Sequence, residues 1–242
     1  MQVEQTYFIG SEDTGADNAM SDKFILEALG NTACKHATLS GQGVDDRDQN
    51  HLAWVVTNWK IEVLSRPRMC ETVKVRTWIQ QSDRLLSKRD FELYNDKDQL
   101  IARASSVWMA INLNTQFLTR ITPALLAPYE PEPEHTVFPA DAVFTDLNTL
   151  SLPAENFDIY TIPKAMIDCN AHVHNSSYLD IAMQVLPEGL DTLPFDHLQI
   201  SYKKEIKPRA TIKLEYARSE GRHYVFFKGL ADDTLHAVLE LY

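Results

Sequence analysis

This chain repeats itself, and the repeat limits the folds open to it. Arg66-Pro67-Arg68 leads into the strand-like run Glu71-Thr72-Val73-Lys74-Val75, and Lys207-Pro208-Arg209 leads into Ala210-Thr211-Ile212-Lys213-Leu214. Asp98-Gln99-Leu100-Ile101-Ala102 has its counterpart in Asp233-Thr234-Leu235-His236-Ala237. Each unit opens with apolar residues near helical spacing. These are Phe24, Ile25, Ala28, Leu29 and Ala33 within residues 21–36, then Tyr178, Leu179, Ala182 and Val185 within residues 176–185. Several elements recurring in one order mark a duplicated supersecondary unit.

Strand-like alternation follows each helix. Residues 54–64, 72–79, 88–94 and 101–112 carry it in the first unit, and residues 196–206, 211–217, 223–230 and 235–242 in the second. Turn chemistry such as Asn95-Asp96-Lys97-Asp98 and Ala231-Asp232-Asp233 closes the runs. A helix followed by hairpin-linked strands predicts an α+β unit, one helix packed on an antiparallel sheet. Two such units can join edges into one continuous sheet with both helices inside its curve. The units are read as residues 1–118 and 153–242. Between them, residues 119–152 carry Pro123, Pro128, Pro131, Pro133 and Pro139, a density that blocks sheet and helix alike. Phe138, Val143, Phe144 and Leu147 give this connector something to bury, so an ordered tether is expected.

Composition narrows the function. A chain of 242 residues with 44% hydrophobic and 24% charged residues has the makings of a soluble globular core. No apolar run approaches the roughly 18 residues that span a bilayer. The start, Met1-Gln2-Val3-Glu4, lacks a basic and apolar leader pattern, so no secretory signal is read and a cytoplasmic location is expected. Cys34, Cys70 and Cys169 are scattered, without the paired spacing of a zinc ribbon or disulfide framework. A net charge of −11 argues against broad nucleic-acid or anionic-membrane binding. Local basic clusters remain at Arg66, Arg68, Lys74 and Arg76, and at Lys203, Lys204, Lys207, Arg209 and Lys213.

Chemistry-bearing residues concentrate in the second unit. Residues 166–174 read as a short strand approaching a helix, and alternation places Asp168, Asn170 and His172 on one face. Asn175 reads as the helix N-cap, with Tyr178 just inside. An amide can orient a carbonyl or water, and an imidazole can donate to an oxyanion or move a proton. Glu205, read as lying on a strand of the same unit, supplies a second carboxylate. Near an imidazole it suits general-base activation of water, or equally direct attack to give an anhydride. No Gly-x-Ser-x-Gly elbow is present, and Cys169 points to the opposite strand face, so water-based hydrolysis is the more natural chemistry. His172 and His174 are spaced as a metal pair could be, but no third ligand is placed by motif; no metal or cofactor is expected.

The run Asp168-x-Asn170-x-His172-Val173-x-Asn175-x-x-Tyr178, followed by Tyr202-x-x-Glu205, resembles the acyl-acyl carrier protein thioesterases of plants and bacteria. Trp54, Trp59, Arg66-Pro67, Thr77-Trp78, Arg89-Asp90-Phe91 and Ala104-Ser105-Ser106-Val107-Trp108 resemble that family's N-terminal segments. The resemblance implies a double hotdog fold and hydrolysis of the thioester joining a fatty acyl chain to the carrier's phosphopantetheine. It implies Asp168, Asn170, His172 and Glu205 as the catalytic set. Glu205 would be the base for water, His172 and Asn170 would orient water and carbonyl, and Asp168 would buttress them. Asn175, Tyr178, Lys203, Lys204, Lys207 and Arg209 are expected to meet the substrate or its acidic carrier. The first unit has no equivalent histidine near its helix, so it resembles a half that lost chemistry and kept an acyl-binding tunnel. Two departures stand out. His174-Asn175 replaces the family's usual pair of asparagines, and Ile206 follows the motif glutamate where cysteine is frequent, which removes a thiol mechanism at that position.

Rival readings are an acyl-coenzyme A hydrolase, a hotdog dehydratase acting on 3-hydroxyacyl thioesters, and a non-catalytic acyl-binding module. Joined hotdogs often pair further, so a homodimer is open.

Overall fold

A computed structural model describes residues 1–139, 144–191 and 194–242, apart from the side chain of residue 48. In chain order the strands are β1 (Val3–Phe8), β2 (Leu52–Val63), β3 (Thr72–Ser82), β4 (Ser87–Asn95), β5 (Leu100–Asn112), β6 (Leu118–Thr119), β7 (Asn156–Thr161), β8 (His197–Tyr202), β9 (Thr211–Ser219), β10 (Arg222–Gly229) and β11 (Leu235–Leu241). The helices are α1 (Asp22–Leu39), α2 (Arg47–Asn50), α3 (Pro123–Leu126) and α4 (Ser177–Ala182).

One antiparallel sheet runs β1-β3-β4-β5-β2-β8-β11-β10-β9-β7, with β6 added to β5. The order is palindromic: each unit contributes an edge strand, then its third to fifth strands, then the strand that follows its helix. The two halves meet at the β2–β8 seam, where Asn58 faces Ser201 and Glu62 faces His197. This is the double hotdog, a sheet wrapped around two helices. Both helices share one buried cluster with the strands. Ile25, Leu29 and Ala33 of α1, and Leu179 and Ile181 of α4, join Phe91 of β4 and Phe227 of β10. Each such fully buried large side chain is worth about 1.5–3 kcal/mol by removal from water.

Local signals account for α1. Ser21 accepts a hydrogen bond from the Phe24 N–H at 3.2 Å, a side-chain N-cap, and the apolar residues at 24, 25, 28, 29 and 33 form the buried stripe. Past Ser40 the chain turns through Gly41, whose φ of +67° suits a residue without a Cβ.

The structure corrects several expectations. Each unit begins with a strand, β1 or β7, rather than with its helix. Both are sheet edges, and β7 is exposed along nearly its whole length, so neither carries a two-sided apolar signal. The second helix ends at Ala182; residues 183–186 continue as turns toward Pro187, which disfavours helix in the residue before it. The connector does contain helix, since Pro123 occupies the first turn of α3, where its missing N–H costs nothing. The connector is ordered on both sides of its undescribed part. Val137 and Phe138 pack with Trp78 of β3, and Leu147 packs with Tyr224 and Phe226 of β10. Val143 lies outside the described residues. No helix among the described residues is long and apolar enough to cross a membrane.

Candidate active site

Residues 166–174 form a loop, not the expected strand. The Asp168 N–H donates to the His172 carbonyl at 3.0 Å, the Ala171 N–H to the Asp168 carbonyl at 3.1 Å, and the His174 N–H to the Met166 carbonyl at 2.9 Å. Ala171 takes φ +63°, the left-handed conformation that closes so tight a turn. Asp168, Asn170 and His172 therefore converge by curling, not by strand alternation. Val173, buried, donates its N–H to the Ile206 carbonyl at 3.0 Å and stitches this loop to the segment holding Glu205. Glu205 itself lies beyond the end of β8, in the loop before β9, and not on a strand.

This stitching brings the four residues together. His172 Nδ1 lies 3.8 Å from Asp168 Oδ1, and its Nε2 lies 3.8 Å from Glu205 Oε2. Asn170 donates from its backbone N–H to Asp168 Oδ1 at 2.8 Å and from Nδ2 to Asp168 Oδ2 at 3.2 Å. Exposure grades across the cluster: the Asp168 side chain is 16% accessible, His172 29% and Glu205 48%. The innermost carboxylate holds Asn170, and the outermost, Glu205, is the most open to solvent.

The expected binding residues divide. Lys207 forms an ion pair with Glu205, so its charge is committed within the cluster. Lys203, Lys204 and Arg209 are exposed; the first two donate their N–H groups to the His236 carbonyl of β11, at 2.8 and 3.1 Å. Tyr178 is buried, its ring 5.0 Å from that of Tyr202 and 5.1 Å from that of Phe227, and burial raises its phenol above the ordinary range. It supports the loops from beneath. Asn175 is not the N-cap: Ser176 takes that position, and the Asn175 carbonyl accepts a hydrogen bond from the Tyr202 hydroxyl at 2.9 Å.

Two contacts from the first unit went unseen in sequence. Glu27 of α1 accepts a hydrogen bond from the buried Ser176 hydroxyl at 2.8 Å, and that oxygen lies 2.9 Å from His174 Nδ1. Arg47 of α2 donates from Nη1 to Asn170 Oδ1 at 2.9 Å. Neither leaves a local pattern, because the partners stand 149 and 123 positions apart.

Arg47 also belongs to the wall of a cleft in the first unit. Ala33 and Ala37 of α1, Trp54 of β2, Ile79 of β3 and Trp108 of β5 make that wall largely apolar. Arg89 lines it too, a buried guanidinium whose desolvation lowers it to about 10, so it keeps its charge at neutral pH.

An apolar cleft in one hotdog thus lies beside an imidazole–amide–carboxylate cluster in the other half of a double-hotdog protein. Known proteins give the family. The acyl-ACP thioesterase N-terminal domain profile matches residues 1–129 and the C-terminal domain profile residues 153–231. The chain belongs to the acyl-acyl carrier protein thioesterase family. It is 26% identical over 217 residues to an oleoyl-acyl carrier protein thioesterase of Arabidopsis thaliana, covering 84% of this chain and 59% of that chloroplastic protein. It is 29% identical over 216 residues to an acyl-[acyl-carrier-protein] hydrolase of Cuphea viscosissima, also chloroplastic, covering 83% and 51%. The chain thus spans little more than half the length of these relatives. An acyl-ACP thioesterase from Bacteroides thetaiotaomicron superposes with TM-score 0.85 at 20% identity, covering 99% of this chain and 96% of the other. A 12:0-ACP thioesterase from Umbellularia californica gives the same TM-score and coverage at 18% identity. These two likenesses concern the fold.

Proposed function

We propose that this protein hydrolyses the thioester of acyl-acyl carrier protein and releases a free fatty acid. Family membership supports the reaction class, and the placement of His172 between Asp168 and Glu205 is the observation that carries the mechanism. A separation of 3.8 Å on the Glu205 side is too long for a direct hydrogen bond and suits a water held by both groups.

In this reading Glu205 takes a proton from that water as its oxygen attacks the thioester carbonyl carbon. His172 orients the water and donates to the developing oxyanion, with the Asn170 amide as a second donor. Collapse of the tetrahedral adduct breaks the C–S bond, and the pantetheine sulfur leaves as the thiol by taking the proton that Glu205 removed from the water. Asp168 fixes the amide by two hydrogen bonds and faces the imidazole across 3.8 Å. Residues 153–242 supply the chemistry, residues 1–118 hold the acyl chain in the apolar cleft, and residues 119–152 tie the halves together.

The test is hydrolysis of one acyl group presented on carrier protein and on coenzyme A. Preference for the carrier supports the reading; preference for coenzyme A makes the protein an acyl-coenzyme A hydrolase. Loss of water from a 3-hydroxyacyl thioester without thiol release would make it a dehydratase. Glu205→Gln is expected to lower kcat at least ~100-fold, the scale of lost acid–base assistance. Near-normal turnover in that variant removes Glu205 as the base.

A further inference from the structure

The Asn170 side chain is an exposed amide on a tight loop, yet all of its geometry is accounted for. Its Oδ1 accepts from Arg47 Nη1 at 2.9 Å and its Nδ2 donates to Asp168 Oδ2 at 3.2 Å. Guanidinium is purely a donor and carboxylate purely an acceptor. A flipped amide would set NH₂ against a cation and C=O against an anion, so the two partners together admit one orientation. That orientation leaves one Nδ2 hydrogen for a substrate carbonyl or water. Arg47 and Asp168 act from opposite sides, and Arg47 comes from the other unit of the duplication.

We infer that Arg47 is a positioning residue, which fixes the Asn170 amide from the first hotdog and so ties the acyl-binding half to the chemistry of the second. The inference rests on the thioesterase reading above. Arg47 also lines the cleft proposed to take the acyl chain, so a single side chain touches both the substrate's compartment and the amide that handles its carbonyl. Asp168 alone restrains only one end of the amide. Without Arg47 the exposed Asn170 side chain swings about its Cα–Cβ bond, and the donor spends less time in place. Such misplacement lowers turnover while leaving the acyl chain's burial nearly intact.

The experiment is steady-state kinetics on the full chain, using the acyl carrier protein thioester that the wild type turns over fastest. The variants are Arg47→Met, Arg47→Lys, Asn170→Ala and the Arg47→Met/Asn170→Ala pair, each checked for native circular dichroism. Arg47→Met is expected to lower kcat about 10- to 100-fold, the cost of a catalytic group held out of place. KM should stay within about 2-fold, because uniform binding is untouched. Arg47→Lys, which restores a cationic donor without the planar fork, should recover most of the loss. In the Asn170→Ala background, Arg47→Met should cost less than about 2-fold more, since both act through one group. A rise in KM with kcat unchanged would make Arg47 a wall of the cleft and no more. A full penalty for Arg47→Met in the Asn170→Ala background would show that it does not act through the amide. Either result overturns the inference and leaves the thioesterase reading standing. A wild type inert on every acyl thioester overturns the reading itself, and the inference with it. Should Arg47→Met lose its native spectrum, Arg47→Leu, which also removes every donor, provides the same comparison.

Discussion

Nη1 of Arg89 lies 2.9 Å from Nδ1 of His36, under the first unit's helix, with both residues buried. Guanidinium has only hydrogens to offer, so the imidazole must accept at Nδ1 and carry its proton on Nε2, which has no partner among the described residues. A protonated ring would face the cation directly. Burial first, and the Arg89 charge second, lower His36 from its ordinary 6.5 to about 3. The unfolded chain therefore binds this proton more readily than the native one. The contribution of the pair to stability is intact above pH 6.5 and is lost as pH falls toward 3. The slope from this one group is up to about 1.4 kcal/mol per pH unit. His36→Gln keeps an acceptor for Arg89 and cannot titrate. Urea unfolding of the two proteins between pH 7 and pH 4 should show the variant losing stability less steeply. Equal slopes would assign the acid sensitivity to other groups.

Arg66 binds three groups at once. It donates to Asp22 Oδ1 at 2.6 Å, to the Met20 carbonyl at 2.8 Å and to the Phe195 carbonyl of the second unit at 2.6 Å. Arg66 and Asp22 are each only 9% accessible, and burial raises the Asp22 carboxyl above its usual range despite the guanidinium beside it. Desolvation there outweighs the attraction, so the pair is costly to break by halves. Arg66→Leu is expected to lower the unfolding free energy by about 3–5 kcal/mol, much of it the cost of a stranded carboxylate. The Arg66→Leu/Asp22→Leu pair should recover part of that loss. Chemical denaturation measures both; a single-variant cost below about 1 kcal/mol would show that the site relaxes around the missing cation.

What the sequence disclosed follows from how each feature is encoded. Strands such as β3 and β9 were legible because burial of one face writes a period of two into their first residues, and β8, β10 and β11 because they are short runs buried on both faces. The edges were not: solvent reaches nearly every residue of β7, and β1 alternates in burial but puts Gln5 on its inner face. The Arg66-Pro67-Arg68 and Lys207-Pro208-Arg209 echoes disclosed the duplication, which the palindromic strand order displays. The four-residue cluster was legible as a family likeness, but its geometry was misread. Asp168 through His172 alternate like a strand, and only the left-handed turn at Ala171 makes them converge. Arg47 and Glu27 stayed hidden for a different reason. Their partners arrive through tertiary folding, and no short-range pattern announces a contact across the seam of two hotdogs.

The surface beside the cluster bears on the proposed carrier substrate, because an acidic carrier would have to approach a protein of net charge −11. Lys207 is spent on Glu205, and Lys203, Lys204 and Arg209 are exposed in the same stretch of chain. Interfacial charges of this kind steer encounter more than they add affinity. Lys203→Glu/Lys204→Glu is expected to raise KM for an acyl carrier protein thioester by about 10-fold, and added salt should shrink the difference from wild type. kcat should stay within about 2-fold, because neither residue touches the reacting atoms. The same acyl group on coenzyme A, with no folded carrier to dock, should respond less. Equal shifts on both substrates would mean that the lysines act on the pantetheine arm or on the loop itself, and the carrier would have to dock elsewhere.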